Sequence, residues 1–324
     1  MAAREPTTRA HGSAERRSSR RLRRERALVT SGASGLGRLV CRALHRNYDV
    51  VSIDAKPFPD RPKDVDHLQL DLRRKSALTQ VKRRRPDVVV HIGAIHGPPS
   101  PSSHRVVDAT VHLLRLIEEL HCRKLVLLSS ATLYGPSATS ANFLSEEAPL
   151  LGASTVPDLA DDISLDMMVQ SVFWKLPDTE TVILRPVHVV GPHVDNLPTR
   201  YLRLQRVPRL LGFDPMIQLV HEDDVVDAIV GALKPGVRGV FNIDGQTQAP
   251  LSRLLSARGA TALPIPGPLF AAALERAAAL RMTAIGKGEL AFLRYSCLVD
   301  GRRARAELGW APRHTLRQTL EALG

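Results

Sequence analysis

The chain carries only three cysteines in 324 residues, Cys41, Cys122 and Cys297, an odd number with no metal-ligand spacing. That excludes a disulfide-built scaffold and a cysteine zinc site, and it fits buried thiols in a reducing, cytoplasmic compartment. No apolar run reaches the roughly 20 residues of a membrane span. The most apolar stretch, residues 269–280, is interrupted by Glu275 and Arg276 and reads as a packing helix. Aromatics are scarce, at 4 % of the chain, and none interleaves the basic cluster 82–85. A base-stacking platform is therefore not expected there, and a solvated helix end is. No histidine pair shows the helical zinc spacing with a glutamate, so no metal centre is expected. His221 instead reads as a cap of the helix that starts near Asp223. Leu36 stands where a hydrolase nucleophile elbow needs its second glycine. Internal repeats are lacking.

Acidic charge is short as well, and unevenly so. The formal net charge is +12, and residues 1–26 contribute half of it, with nine Arg against Glu5, Glu15 and Glu25. This tail has almost no apolar residues with which to offset its ordering entropy, so it is expected to be a disordered basic tail. Contact with nucleic acid or an anionic membrane surface is the alternative use of such a tail; no specific nucleic-acid partner is expected.

What is present from residue 27 onward is alternation. Short apolar runs at 27–30, 50–53, 67–70, 88–92, 125–128, 181–184 and 240–243 are separated, for the most part, by amphipathic stretches such as 39–45, 106–120 and 224–233. Several runs are apolar at every position, as strands buried on both faces should be. The pattern predicts an α/β fold, a doubly wound parallel sheet joined by crossover helices. After about residue 186, prolines and glycines multiply and helical patterns dominate. The expected division is a nucleotide-binding domain over 27–186, its sheet completed by about 239–245, and a smaller, mostly helical C-terminal lobe over 187–324 that binds substrate.

The most informative segment is 27–38, ALVTSGASGLGR. An apolar strand feeds a turn containing Gly32, Gly35 and Gly37, and a helical pattern follows. Glycine lets a backbone approach a pyrophosphate, and the helix N-terminus offers free N–H groups and a positive dipole end. Asp54 closes the next apolar run, seventeen residues after Gly37. An acidic side chain at about that distance is expected to hold adenosine ribose hydroxyls.

Two further blocks complete a pattern: LVLLSSATLYG at 125–135 and ILRPVHVVGP at 183–192, followed by HEDDVVDAI at 221–229 and ELGWAP at 307–312. Together with the glycine turn and Asp54, they make residues 27 to about 320 resemble the short-chain dehydrogenase/reductase superfamily. The closest likeness is to its extended branch, the NAD-dependent epimerases and dehydratases. The resemblance implies a Rossmann-type sheet and NAD as cofactor, with NADP the alternative. It places Thr30, Gly32, Ser34, Gly35, Leu36 and Gly37 around the pyrophosphate. Asp54 would hold the adenine ribose, and Asp71 and Leu72 would lie near the adenine. Ile92, Gly93, Ala94, Ser129 and Pro186 would line the rest of the cleft. Ser130 matches the family's catalytic serine, and a homodimer through a four-helix contact is implied.

Four departures stand out. Ser31 replaces the glycine usually found after the threonine, so that residue must avoid positive φ or accept strain. Val106 stands where the family has asparagine. Arg38 and Lys56 flank the ribose site, where they would draw a 2′-phosphate that Asp54 would repel; NAD is favoured. Above all, none of the four tyrosines, Tyr48, Tyr134, Tyr201 and Tyr295, has a lysine four residues on. The register places Asp158 in the tyrosine slot and Asp162 in the lysine slot. An oxidoreductase or epimerase on a hydroxyl or carbonyl substrate then needs a substitute proton carrier: Tyr134, Asp162 or a water chain. The competing expectation is a catalytically silent dinucleotide-binding sensor or scaffold. For the smaller lobe, the resemblance suggests Arg200, Arg203 and Arg294 as grips for a phosphate or carboxylate.

Overall fold

The computed structural model describes residues 23–93, 104–139, 142–270, 272, 276 and 288–324. Most of the basic tail, Ala94, the side chain of Val106 and most of the expected 269–280 helix lie outside the described residues. Seven strands form the main sheet: β1 (Arg26–Thr30), β2 (Asp49–Asp54), β3 (Asp66–Gln69), β4 (Val88–Ile92), β5 (Lys124–Leu128), β6 (Glu180–Pro186) and, after three strands of the small lobe, β10 (Gly239–Ile243). Their order is β10-β6-β5-β4-β1-β2-β3, and every pairing is parallel. This is the doubly wound, Rossmann-type sheet expected from the alternating pattern.

The reason lies in the strand sequences. VVVHI in β4 and KLVLL in β5 are buried at every position, which requires cover on both faces. One core packs α1 (Gly35–Leu44) and α8 (Glu222–Ala232) against one face, through Leu36, Val40 and Leu44 of α1 and Val225 and Ile229 of α8. The other face carries α2 (Lys75–Arg84), α3 (His104–Leu120) and α5 (Ala160–Gln170), with Val81, Leu113, Ile117, Leu165 and Val169 in a second core. Between β5 and α5 lie a 3-10 turn, Ala131–Tyr134, and the short helix α4 (Gly152–Thr155); α6 (Val172–Lys175) follows α5.

Strand β1 starts earlier than the tail boundary at residue 26 implied. Arg26 pairs with Asp49, Glu25 binds Arg123 at 2.7 and 2.8 Å, and Arg23 reaches Asp87. Ion pairs and a strand register therefore order residues 23–26, whose composition read as tail.

The smaller lobe holds helices α7 (Leu197–Arg203), α9 (Leu251–Ala257) and a C-terminal helix, Leu316–Glu321. It also holds two small sheets that the sequence pattern did not announce. One joins β7 (His188–Val190), β9 (Met216–His221) and β11 (Gln248–Pro250); the other joins β8 (Arg206–Leu210) and β12 (Thr261–Ile265). A third core underlies this lobe, with Tyr201, Leu219, Leu254 and Phe270.

Candidate active site

Strand order reverses between β1 and β4, so a crevice opens beyond the carboxyl ends of these two strands. The glycine turn forms one wall. Ser34 caps α1 by accepting a hydrogen bond from the Gly37 amide at 3.1 Å, and helix geometry leaves the amides of Gly35 and Leu36 without intrahelical acceptors. Ser31 takes the strained alternative, with φ at 51°, and its hydroxyl donates to the Ile92 carbonyl at 3.3 Å.

Close approach explains all three glycines. A Cβ on Gly32 would stand 2.2 Å from Ser52 Oγ, and one on Gly37 would stand 2.1 Å from the Ser31 carbonyl oxygen. At Gly35 the intruder comes from the other lobe: the His193 carbonyl oxygen would lie 1.7 Å from a Cβ there. The His193 loop is itself fixed by the buried Glu222 carboxylate, which accepts from the His193 and Val194 amides at 3.0 Å each and pairs with His193 Nδ1 at 2.6 Å.

Asp54 sits at the crevice mouth. Its carboxylate accepts from the Ala33 amide at 3.1 Å and the Lys56 amide at 2.9 Å, which ties the end of β2 to the glycine turn. Arg38 is drawn away from that carboxylate: its Nε donates to the Ala33 carbonyl at 2.9 Å and its Nη1 meets Asp60 at 3.2 Å. Asp71 is occupied as a turn former, accepting from the Arg73 amide at 3.0 Å and from Arg73 Nε at 2.8 Å. The Arg73 hydrogen bond also holds its carboxyl below the usual range. Leu72 packs at the edge of the second core. The Thr30 hydroxyl is spent inside the sheet, on the Ile92 amide at 3.0 Å and His91 Nδ1 at 2.8 Å. His91 is fully buried, and burial pushes its pKa down to about 4.

A pocket opens at the carboxyl ends of β4 and β5, lined by Gly93, Leu128, Ser129, Ser130, Leu133, Asp162 and Leu165. Three expected site residues, Gly93, Ser129 and Ser130, thus meet there. The Ser130 hydroxyl caps the 3-10 turn, accepting from the Thr132 amide at 3.2 Å and lying 2.8 Å from Thr132 Oγ1. Asp162 reaches the same pocket from α5, and among the described residues its carboxyl has no hydrogen-bond partner. Burial, with the charge of Asp161 second, pushes its pKa up to about 7. Asp158 is exposed on the preceding 3-10 turn.

Tyr134 is placed elsewhere. Its hydroxyl donates to Asn242 Oδ1 at 2.8 Å and accepts from Arg185 Nη1 at 2.9 Å, in the buried layer behind the pocket. That layer contains the residue sequence reasoning missed. Asp166, wholly buried one helical turn after Asp162, binds Arg185 through both oxygens and accepts from Ser129 Oγ at 2.5 Å. Arg185 was visible in the 183–192 block, and a buried arginine demands a carboxylate. Pro186 closes β6 beside it, also buried.

In the small lobe, Arg200 is paired with Asp195 at 2.6 Å and Arg203 donates to the Leu323 carbonyl at 3.0 Å. Arg294 stacks its guanidinium 5.6 Å over the Phe213 ring, with no ion pair among the described residues. His221, Asp223 and His314 bring one ligating atom each within 4.8 Å of one another. Both imidazoles already have work: His221 Nδ1 accepts from the Asp223 amide, capping α8, and His314 Nδ1 meets the buried Asp224 at 2.9 Å.

Comparison with known proteins agrees with this fold. The model of the NAD dependent epimerase/dehydratase family matches residues 27–244. An uncharacterized protein of Mycobacterium tuberculosis is 27 % identical over 308 residues, covering 91 % of this chain and 81 % of its own length. Among solved structures, UDP-glucose 4-epimerase of Thermotoga maritima, bound to UDP-glucose, superimposes with a TM-score of 0.71 at 20 % identity, over 92 % of this chain and 97 % of that one. UDP-glucuronic acid 4-epimerase of Bacillus cereus, bound to UDP-glucuronic acid and NAD, gives 0.70 at 22 % identity with the same coverage. At these identities the solved structures establish the fold.

Proposed function

The chain belongs to the NAD dependent epimerase/dehydratase family, and from that premise we propose that it binds NAD across the β1/β4 crevice and interconverts a hydroxyl and a carbonyl on a sugar-nucleotide substrate. The observation that carries this reading is the meeting of Gly93, Ser129, Ser130 and Asp162 in one pocket at the carboxyl ends of β4 and β5.

The chain's own groups suit such a cofactor. The first-turn amides of α1 and its dipole offer a pyrophosphate its hydrogen bonds at the β1/β4 crevice, while the Cβ positions of Gly32, Gly35 and Gly37 are taken by Ser52, His193 and Ser31. Asp54 accepts from ribose hydroxyls and repels a 2′-phosphate; with Arg38 held by Asp60, this favours NAD over NADP. When bound, the nicotinamide ring accepts or donates a hydride. Ser130 donates its hydroxyl to the reacting substrate oxygen. Arg294, stacked on Phe213, takes a substrate phosphate. Exposed Met167 on α5 and Trp174 on α6 support a homodimer through this face.

The second reading, a silent dinucleotide sensor, is favoured by the lack of any Tyr-x-x-x-Lys pair and by the burial of the Tyr134 hydroxyl among Arg185 and Asn242. A single-turnover experiment separates the two. The protein is mixed with NAD⁺ and either UDP-glucose or UDP-glucuronic acid, and reduced nicotinamide is followed by its fluorescence. Reduction that falls by about 10²-fold in Ser130→Ala supports the enzyme. Tight NAD⁺ binding with no reduction by either probe supports the sensor.

A further inference from the structure

We propose that Asp162 is the proton-transfer group of this pocket, its carboxyl replacing the missing tyrosine and lysine together. The inference rests on the nicotinamide reading above and deepens it. Asp162 and Ser130 line the same pocket from opposite elements, one on α5 and one at the end of β5. The Asp162 carboxyl is unpartnered among the described residues, whereas the next acid on that helix, Asp166, is saturated by Arg185, Ser129 and Gln170. That saturation fixes the helix one turn from Asp162, so the free carboxyl is held by a rigid neighbour.

The substitution has a chemical logic. A phenol loses its proton near pH 10 and needs a nearby cation to work at neutrality, whereas a carboxyl loses its proton near pH 4 and needs the opposite push. A lysine beside an acting carboxylate would defeat it by pairing. Losing tyrosine and lysine together is therefore coherent, and burial with a neighbouring anion supplies the push: the Asp162 pKa rises to about 7, where a general acid or base works in both directions.

The groups around it agree. The pocket-lining side chains from β4, β5 and the 3-10 turn are uncharged. On α5 itself the acids are Asp161, the second cause of the shift, and Asp166, neutralised by Arg185 of β6. Among the described side chains of α3, which packs on α5, the titratable ones are Asp108, His112, Arg115, Glu118 and Glu119.

In the oxidising direction, the O–H bond of a substrate alcohol breaks and its proton passes to Asp162. With NAD⁺ bound as the oxidant, the carbinol hydrogen would leave to it with its electron pair as the C=O bond forms. Asp162 then returns the proton to solvent, or to the oxygen when the step reverses.

The test needs no identified substrate. An ionised Asp162 beside a cationic nicotinamide ring favours NAD⁺ over NADH, and a protonated one does not. Calorimetric titration of the full chain with NAD⁺ and NADH at pH 5.5 and 8.5 is expected to show the affinity ratio rising about tenfold in favour of NAD⁺ at the higher pH. In Asp162→Asn both dinucleotides are expected to bind, with a ratio that does not change with pH. Binding of both with a flat ratio in the unaltered protein, or a pH-dependent ratio that survives in Asp162→Asn, overturns the assignment alone. Binding of neither overturns the cofactor reading and this inference with it. A second measurement is independent of the variant's folding: the carboxyl ¹³C signals of labelled aspartate should include one that titrates near neutrality, and their confinement to the acid range would overturn the assignment.

Discussion

Arg185 and Asp166 face each other in a fully buried pair, with Nη2 2.7 Å from Oδ1 and Nε 3.0 Å from Oδ2. The pair joins β6 to α5 and, through Ser129 and Tyr134, sets the floor on which the pocket is built. Asp166→Ala or Arg185→Ala leaves one buried charge uncompensated. Each is expected to cost about 3–5 kcal/mol in urea unfolding, and the double variant Asp166→Leu/Arg185→Met less than the sum of the two. Additive losses would show that the two side chains do not act as a pair.

Gly35 separates close packing from simple flexibility. Gly35→Ala puts a methyl group against the His193 carbonyl, a backbone atom fixed by Glu222, and is expected to cost about 2 kcal/mol and to weaken dinucleotide binding. Ser31→Gly removes a left-handed serine and is expected to raise stability by up to about 1 kcal/mol without loss of binding. Urea melts with parallel titrations of NAD⁺ check both.

Acid should weaken the fold through His91. Its folded pKa of about 4 lies below the ordinary 6.5, so the neutral ring's contribution is present above pH 6.5 and is lost as pH falls through 4. The full window is worth about 3 kcal/mol. In His91→Gln, the stability difference between pH 7.5 and 4.5 should shrink by most of that amount.

Asp162 should behave in the opposite sense. Its raised pKa means that its stability contribution is complete below the ordinary carboxyl pKa of 3.8 and fades as pH rises through about 7. Asp162→Asn is therefore expected to be more stable than the unaltered protein at pH 8.5, by about 4 kcal/mol, and close to it at pH 4. Unfolding curves at the two values measure this, and a variant less stable at both would contradict it.

The parallel sheet was legible because strands buried on both faces must be apolar throughout, as in β4 and β5. The meeting of Gly93, Ser129 and Ser130 at the carboxyl ends of β4 and β5 was legible from their sequence blocks. The pairing of Asp166 with Arg185 was not, since no local pattern links residues 19 apart that meet only after β6 docks on α5. The two-stranded sheet of β8 and β12 was hidden by its own prolines, Pro208 and Pro264, which break the apolar strand pattern. They are tolerated there because each strand of a two-stranded sheet leaves one edge unpaired. Gly35 was read as space for a pyrophosphate, whereas the structure fills that space with the His193 carbonyl, a reason that only tertiary packing reveals.

The most direct test of the account is calorimetric titration of the full chain with NAD⁺, NADH, NADP⁺ and NADPH at pH 7.5, repeated with Asp54→Ala. The account predicts micromolar binding of the NAD forms, at least about tenfold tighter than the NADP forms, a difference of about 1.4 kcal/mol that Asp54→Ala abolishes. Failure of all four to bind would contradict the account at its root.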